Sequence, residues 1–206
     1  MKACILDRDA TLIDVVRDDE SGVITTAFHP AHVRILPGVV EGLRILRDDG
    51  YIFAVASNQP GPAKGHFRVE AVERANAALV DLLRAEGIEI AHVECCFHHP
   101  EGTPQGDPSL IGECACRKPK PGLLLKLQSR LGFDPKASWM VGDNEGDVRA
   151  GAAAGLKTGL IFALNRCELC PLRAGVSSLE RIRPDVRPDV HGANLVEVAN
   201  QIVAFA

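Results

Sequence analysis

The sequence has no apolar stretch long enough to span a lipid bilayer, which argues against a membrane protein. It also has no excess of positive charge. Its formal net charge is −4, whereas nucleic-acid-binding domains usually carry a basic patch, so we expect no nucleic-acid partner. No signal peptide precedes the first apolar segment, which begins at Lys2, and this predicts a cytoplasmic location. The composition, 46% hydrophobic and 24% charged, is that of an ordinary soluble globular protein.

The length of 206 residues suits one domain. We therefore predict a single domain over residues 1–206, and we expect a monomer. The chain contains seven cysteines. In the reducing cytoplasm, free thiols or a metal site are expected before disulfides.

Apolar segments of strand length alternate along the chain with segments of helical periodicity. The predicted strands cover residues 2–6, 51–56, 88–97, 138–142 and 157–163. The predicted helices cover 67–85, 123–131, 144–155 and 194–205, and a further helix runs from Pro37-Gly38 to a stop at 48–50. This alternation indicates right-handed βαβ units, and hence a doubly wound α/β fold with a parallel sheet covered on both faces.

Three segments have no regular period: residues 12–36, 98–120 and 164–190. The first is too short to form a separate cap domain, since domains rarely fall below about 50 residues. A loop as long as the second is usually functional when it lies inside a compact domain. The third precedes the predicted C-terminal helix.

Polar residues follow three of the predicted strands and precede one helix. They are Asp7 and Asp9, then Ser57 and Asn58, then Lys118 before the helix, then Asp143 and Asp147. Ligands of open α/β sheets bind beyond the carboxyl ends of the strands, so these residues are candidates for one site. Simpler interpretations exist for each part of the set. Ser57-Asn58 fits a turn, Lys118 a solvated lysine, and the last two acids are favoured at a helix N-terminus.

The ordered set resembles the four motifs of the haloacid dehalogenase (HAD) superfamily of phosphotransferases. The resemblance implies that Asp7 is the nucleophile and that Asp9 is the general acid/base. It also implies a Mg²⁺ ion held by Asp7, Asp143 and the backbone carbonyl of Asp9, since Mg²⁺ prefers hard oxygen ligands. Asp147 is left either as a partner of another site residue or as a first-turn acid.

The same resemblance assigns the residues that bind phosphate. Ser57 and Asn58 would hydrogen-bond the phosphoryl oxygens, and Lys118 would place a positive charge beside the transferring group. Together these roles describe an HAD-type phosphatase that acts through an aspartyl-phosphate intermediate.

Two close pairs of candidate metal ligands flank the loop after the third predicted strand. They are Cys96 with His98, and Cys114 with Cys116. Two such pairs separated by a loop form a Cys₃His set, which is usual for structural Zn²⁺. The simpler interpretation is buried cysteines with an exposed histidine. Cys95 and His99 flank the set and are alternative ligands, so the predicted zinc loop covers about 95–118.

The two halves of this loop are Cys96-Phe97-His98-His99-Pro100-Glu101-Gly102 and Cys114-Ala115-Cys116-Arg117-Lys118-Pro119-Lys120-Pro121-Gly122. With Ser57-Asn58-Gln59-Pro60-Gly61, they resemble the zinc-loop heptose-bisphosphate phosphatases. Histidinol-phosphate phosphatases share a related loop. The resemblance reaches about residue 162 and implies an HAD fold without a large cap domain, in agreement with the short 12–36 segment.

This resemblance implies a Mg²⁺-dependent phosphomonoester hydrolase that acts on a small phosphorylated metabolite. The first expectation is a sugar bisphosphate such as D-glycero-D-manno-heptose 1,7-bisphosphate. The alternatives are a histidinol-phosphate phosphatase, a nucleic-acid 3′-phosphatase and a non-catalytic zinc-loop binding module.

Three features depart from the family pattern. Ala10 stands where the family usually has glycine, which would strain the backbone if that position needs a positive φ. Asn144 stands where the heptose enzymes tend to carry a lysine, and the 12–36 segment is longer than expected. These differences leave the phosphatase chemistry intact and bear on the identity of the sugar.

Arg117 lies between a predicted zinc ligand and Lys118. We expect it to bind a distal phosphate or another polar group of the substrate, because a guanidinium suits bidentate recognition of an anion. The alternative is that it braces the loop against Glu101 or Glu113. Cys167 and Cys170 are interpreted as ordinary cysteines, with a redox pair or half of a second metal site as alternatives.

Overall fold

The computed structural model describes residues 1–18, 23–161 and 187–205. Its central element is a six-stranded parallel sheet in the order β5-β4-β1-β6-β7-β8. The sheet strands are β1 (Lys2–Leu6), β4 (Tyr51–Asn58), β5 (Ile90–Cys96), β6 (Trp139–Gly142), β7 (Lys157–Ile161) and β8 (Val190–Gly192). An antiparallel pair, β2 (Val16–Asp18) and β3 (Val23–Thr25), lies outside this sheet.

Helices cover both faces of the sheet. They are α1 (Val39–Asp48), α2 (Val69–Ala85), α3 (Gly122–Leu131), α4 (Glu145–Ala153) and α5 (Leu195–Ala204). Side chains of a strand alternate between the two faces. Leu6 and Phe53 therefore join a core with α1, α2 and α5, whereas Ile5 and Ala54 join a second core with α3 and α4. This two-sided burial explains why the central strands are continuous apolar runs.

The strand order reverses beside β1. From β1 the chain crosses through α1 to β4 on one side, while the later strand β6 pairs with β1 on the other side. The first residue after β1, Asp7, donates its backbone N–H to the carbonyl oxygen of Val141 in β6 at 2.9 Å. Such a reversal opens a crevice at the carboxyl ends of the strands. All the strand-end residues singled out above face this end of the sheet.

The structure confirms the doubly wound α/β fold, with two corrections. The 12–36 segment was expected to be irregular but contains the β2–β3 pair, and the 164–190 segment reaches β8 at the sheet edge. Each of these strands has three residues, which is too short for a visible period of two. Residues 162–186, including Cys167 and Cys170, lie outside the described residues. Within the described part of the chain, no helix has the length and apolarity needed to cross a membrane.

Candidate active site and zinc loop

Asp7 and Lys118 form the buried centre of the site, beyond the end of β1. The ammonium Nζ of Lys118 lies 2.7 Å from Asp7 Oδ1, 2.6 Å from Asp147 Oδ1 and 2.6 Å from the carbonyl oxygen of Ala56. The contacts with Asp7 and the Ala56 carbonyl are hydrogen bonds, and the contact with Asp147 is an ion pair. Lys118 is therefore fixed with its charge beside Asp7.

Asp143 and Asp147 complete a group of three carboxylates with Asp7. One oxygen of each lies within 4.8 Å of the others. Asp143 directly follows β6, and Asp147 lies in the first turn of α4, where its Oδ2 accepts from the backbone N–H of Asn144 at 3.2 Å. Asp147 therefore caps its helix and also holds Lys118 in an ion pair. Of the two roles considered for Asp147 from the sequence, the structure places it in both.

The charged groups of this cluster shift one another's pKa values. Burial raises the pKa of Asp7 to about 6, although Lys118 acts in the opposite direction. Burial, helped by Asp7 and Asp147, raises the pKa of Asp143 well above its usual range. Burial alone would lower the pKa of Lys118, but Asp147 and Asp7 outweigh it and raise that pKa. Three crowded carboxylates around one ammonium fit a divalent cation, and their hard oxygen donors are those that Mg²⁺ prefers.

The carboxylate of Asp9 lies apart from this group and is held by four contacts. Arg8 Nε lies 3.1 Å from Asp9 Oδ2 and Arg8 Nη2 lies 3.2 Å from Oδ1. Gln59 Nε2 donates to Oδ2 at 2.6 Å, and the Thr26 hydroxyl donates to Oδ1 at 2.6 Å. Arg8 is fully buried and also donates to Asn76 Oδ1 at 2.6 Å.

Sequence reasoning missed the three residues that hold Asp9. Arg8 could have been found, because an arginine between two strand-end aspartates is a charge entering a buried region and needs partners. Gln59 adjoins Ser57-Asn58 in the chain. Thr26 gave no signal, since it comes from the loop after β3 and reaches Asp9 only through the fold.

Ser57 and Asn58 end β4 beside the buried lysine. Ser57 is buried, and its Oγ accepts from Gln59 Nε2 at 2.8 Å, which leaves its own hydrogen free to donate. Asn58 Oδ1 accepts from the backbone N–H of Lys118 at 3.0 Å, and Asn58 Nδ2 donates to the Lys118 carbonyl oxygen at 2.9 Å. The Asn58 amide, predicted to bind phosphate, is thus engaged in positioning the Lys118 backbone.

The four predicted zinc ligands meet at the end of β5. Cys96 Sγ lies 3.6 Å from Cys114 Sγ and 3.0 Å from Cys116 Sγ. His98 Nδ1 lies 3.5 Å from Cys116 Sγ and 3.9 Å from Cys96 Sγ. These separations far exceed a disulfide length of about 2.05 Å and approach the edge of about 3.8 Å of a tetrahedron with Zn–S bonds of about 2.3 Å. The donor set and its spacing fit Zn²⁺.

The two alternative ligands point elsewhere. The side chain of Cys95 lies on the opposite face of β5 from Cys96, and its Sγ accepts from Asn76 Nδ2 at 3.4 Å. His99 Nδ1 lies 3.0 Å from the backbone nitrogen of Glu101. Neither belongs to the four-residue cluster, so the geometry favours Cys96 and His98 over Cys95 and His99 as ligands.

Hydrogen bonds to backbone carbonyls attach the middle of the zinc loop to the turn that follows β4. Thr103 donates its N–H to the Ala63 carbonyl at 3.3 Å and its hydroxyl to the Lys64 carbonyl at 2.8 Å. Asp107 donates its N–H to the Pro62 carbonyl at 3.0 Å. The loop is therefore fixed to the segment that begins with the Ser57-Asn58 motif.

Arg117 is half-buried between the zinc cluster and Lys118. Its Nη1 donates to the carbonyl oxygen of His98 at 3.4 Å, and within the described residues it forms no ion pair with Glu101 or Glu113. Glu113 instead accepts from Lys120 Nζ at 2.5 Å. Bracing against either of those acids is therefore not its role in this structure.

The structure shows the local conformation at two of the departures from the family pattern. Ala10 adopts a φ of 60°, the left-handed region that favours glycine, so the strain expected there is present. Asn144 is the N-cap of α4, and its Oδ1 accepts from the Gly146 N–H at 2.8 Å. A lysine could not make that cap.

Comparison with known proteins places the chain among the HAD enzymes. Residues 115–162 match the HAD-hydrolase-like family model. The D-glycero-beta-D-manno-heptose-1,7-bisphosphate 7-phosphatase of Pseudomonas putida is 34% identical over 161 residues, which cover 78% of this chain and 82% of the relative. The enzyme of the same name from Pasteurella multocida is 33% identical over 156 residues, 76% of this chain and 78% of the relative.

A solved structure is similar over the full length. The D,D-heptose 1,7-bisphosphate phosphatase from B. bronchiseptica, complexed with magnesium and phosphate, superposes with a TM-score of 0.74 and 25% identity, covering 100% of both chains. L-2-haloacid dehalogenase from Xanthobacter autotrophicus, 13% identical with a TM-score of 0.60, shares the fold. The two clusters of possible metal ligands and these relatives agree with the resemblance of the sequence motifs to the zinc-loop heptose-bisphosphate phosphatases. The chain belongs to the heptose-1,7-bisphosphate 7-phosphatase family of the HAD superfamily, and it is an HAD-type phosphatase.

Proposed function

We propose that this protein hydrolyses D-glycero-D-manno-heptose 1,7-bisphosphate to the 1-phosphate and inorganic phosphate. The names of its relatives support the substrate. The observation that carries the chemistry is the buried Asp7–Lys118 pair, with Asp143 and Asp147, at the carboxyl ends of β1 and β6.

In the first step, a carboxylate oxygen of Asp7 attacks the phosphorus and the ester P–O bond breaks. Asp9 gives its proton to the departing sugar oxygen, so that an alcohol leaves instead of an alkoxide. Lys118 stabilises charge on the transferring phosphoryl group, and the Ser57 hydroxyl donates to one of its oxygens. The product of this step is an aspartyl-phosphate on Asp7.

In the second step, water attacks the phosphorus of the aspartyl-phosphate. Asp9, now a carboxylate, takes the proton of that water, and the bond between phosphorus and the Asp7 oxygen breaks. Phosphate leaves, Asp7 returns to its carboxylate form and Asp9 is again protonated. The two steps balance without any redox partner.

We assign the metal ligands as follows. Asp7, Asp143 and the backbone carbonyl of Asp9 hold Mg²⁺, whose charge offsets the repulsion between the phosphate ester and the nucleophile. The carboxylate of Asp147, which lies within the same group, serves to hold Lys118. Zn²⁺ is held by Cys96, His98, Cys114 and Cys116, and its role is structural because four protein ligands leave no open position.

We also propose that residues 1–206 act as one domain and as a monomer in the cytoplasm. The proposed chemistry needs no group from a second chain, so a monomer is sufficient for it. Thiolate zinc ligands persist best in a reducing compartment, which supports the location. Light scattering of the purified protein measures the oligomeric state, and a dimer would contradict this part of the proposal.

The test is a substrate panel with and without Mg²⁺. It contains both anomers of the heptose 1,7-bisphosphate, histidinol phosphate and a 3′-phosphorylated oligonucleotide, and ³¹P NMR identifies the phosphate that is lost. We expect Mg²⁺-dependent loss of the 7-phosphate and little turnover of the other two substrates. Preferential hydrolysis of histidinol phosphate or of the oligonucleotide would contradict the proposed substrate.

A further inference from the structure

Donors surround the carboxylate of Asp9 in this structure. Arg8 Nε and Gln59 Nε2 donate to Oδ2, and the Thr26 hydroxyl donates to Oδ1 at 2.6 Å. Arg8 Nη2 also faces Oδ1, but it shares its two hydrogens with Thr26 Oγ1 and the Ala27 carbonyl oxygen. The Thr26 hydroxyl is therefore the closest donor to Oδ1. While its hydrogen lies between the two oxygens, Oδ1 cannot hold a hydrogen of its own on that side.

Of the three donor residues, Thr26 can withdraw at the lowest cost. The guanidinium of Arg8 and the NH₂ group of Gln59 only donate, and both residues are fully buried, so each would be left with an unpaired polar group. The Thr26 hydroxyl also accepts from Arg8 Nη2, and it lies 3.1 Å from Gln59 Oε1. It can therefore turn its hydrogen from Asp9 to Gln59 and stay paired.

We propose that Thr26 is a positioning residue whose hydroxyl turns between Asp9 and Gln59 and so lets Asp9 act in both halves of the reaction. The proposal rests on the proposed acid/base function of Asp9. When the hydroxyl points to Gln59, Oδ1 of Asp9 is free to carry the proton that the leaving oxygen takes. When it points to Asp9, the carboxylate is held ready to take the proton of water. Thr26 neither gains nor loses a proton overall.

This role gives the β2–β3 segment a part in the chemistry. Thr26 directly follows β3, and the next residue, Ala27, is buried and accepts from Arg8 Nη2 through its carbonyl at 3.0 Å. The short strands thus deliver one side chain and one carbonyl onto the Arg8–Asp9 pair. The 12–36 segment, which has no regular period in the sequence, thus contributes to the site.

The test compares two leaving groups, because p-nitrophenolate departs without a proton whereas phenolate is more basic and benefits from one. For Thr26→Val we expect kcat/KM to fall about tenfold or more with phenyl phosphate and less than about threefold with p-nitrophenyl phosphate. This parameter reports the step in which the leaving group departs. Thr26→Ser keeps the hydroxyl and is expected to retain the activity on both esters. Thr26→Ala replaces Thr26→Val if the valine variant does not fold.

The matched control is Thr25→Val, the same change one residue earlier, where the side chain has no hydrogen bond to Asp9; its activity on both esters should be unchanged. Equal losses with the two esters in Thr26→Val would mean that Thr26 only supports the site, and would overturn the proposal. So would unchanged activity. An unmodified, Mg²⁺-loaded protein that hydrolyses neither ester would instead overturn the proposed function itself.

Discussion

The carboxylate site at the ends of β1 and β6 and the zinc loop are positioned by different forces. Asp7 and Asp143 follow directly from buried strands, whose hydrogen-bond register fixes them within the sheet. The loop from 97 to 121 contains only the short 3₁₀ turn Pro108–Leu110 within its described structure, and its ends are brought together by the Cys₃His cluster. The backbone of the first region therefore depends on the core. The backbone of the second depends on the proposed zinc cluster and on the hydrogen bonds of Thr103 and Asp107 to the turn after β4.

The two regions meet at Lys118. It lies two residues after the proposed zinc ligand Cys116, and the Asn58 amide binds its backbone to the end of β4. Its ammonium then reaches Asp7. A change in Asp7 or Asp143 should therefore affect the chemistry without affecting the loop. A change in the zinc cluster should affect the loop first, and catalysis through Lys118.

The largest effect is expected at the nucleophile. Asp7→Asn should lower kcat by at least about 10⁴-fold, because the amide cannot form the aspartyl-phosphate. Since the replacement is nearly isosteric, the zinc content and the circular dichroism spectrum should match those of the unmodified protein. Substantial activity in a pure, metal-replete preparation would remove Asp7 from its assigned role.

The second effect tests the zinc loop. Cys96→Ala should reduce bound zinc from about one ion per chain to nearly none, because a structural site needs all four ligands. Activity should fall by roughly 10²-fold, since a displacement of about 1 Å at Lys118 is enough for such a loss. Elemental analysis and kcat/KM provide the two measurements.

The neighbouring Cys95 offers the matched control for this change. Its thiol faces Asn76 on the other side of β5, so Cys95→Ala should keep the full zinc content. Loss of zinc in both variants, or in neither, would show that the four-residue cluster is not the zinc site.

Most of the fold could be predicted from sequence because its signals are local. The buried strands β1, β4 and β6 are apolar runs, and the helices between them have a clear period. The strands that were missed, β2, β3 and β8, contain three residues each and carry no such pattern. Their place is set by pairing partners elsewhere in the chain.

The site residues were predictable where they follow strand ends or belong to motifs. They were not predictable where they depend on contacts between residues that are distant in the sequence. The positions of Asp7, Asp143, Lys118 and the cysteine pairs could be anticipated from order and spacing. The contact between Thr26 and Asp9 spans 17 residues and depends on how the β2–β3 segment lies on the site. Likewise, no sequence pattern indicated that the Asn58 amide binds the Lys118 backbone.

A smaller and substrate-dependent effect is expected at Arg117, which borders both regions. Arg117→Ala should raise KM for the bisphosphate about 10- to 100-fold, in line with about 1.5–3 kcal/mol for a hydrogen bond to a charged group. It should barely change hydrolysis of p-nitrophenyl phosphate, which has no second anionic group. Equal losses with both substrates would mean that Arg117 holds the loop through His98 and does not bind the substrate.

The smallest effect is expected at the other lysine of this segment. Lys120 pairs with Glu113 at 2.5 Å, a shorter contact than that between Lys118 and Asp7, but both partners are exposed. An exposed pair gains little, because water screens the attraction and holding two long side chains costs entropy. Lys120 also keeps its bond to the Cys114 carbonyl at 2.9 Å when Glu113 is changed. Glu113→Gln should therefore leave the unfolding midpoint, zinc content and kcat/KM unchanged within error. A clear loss of zinc would show that this surface pair helps to close the loop.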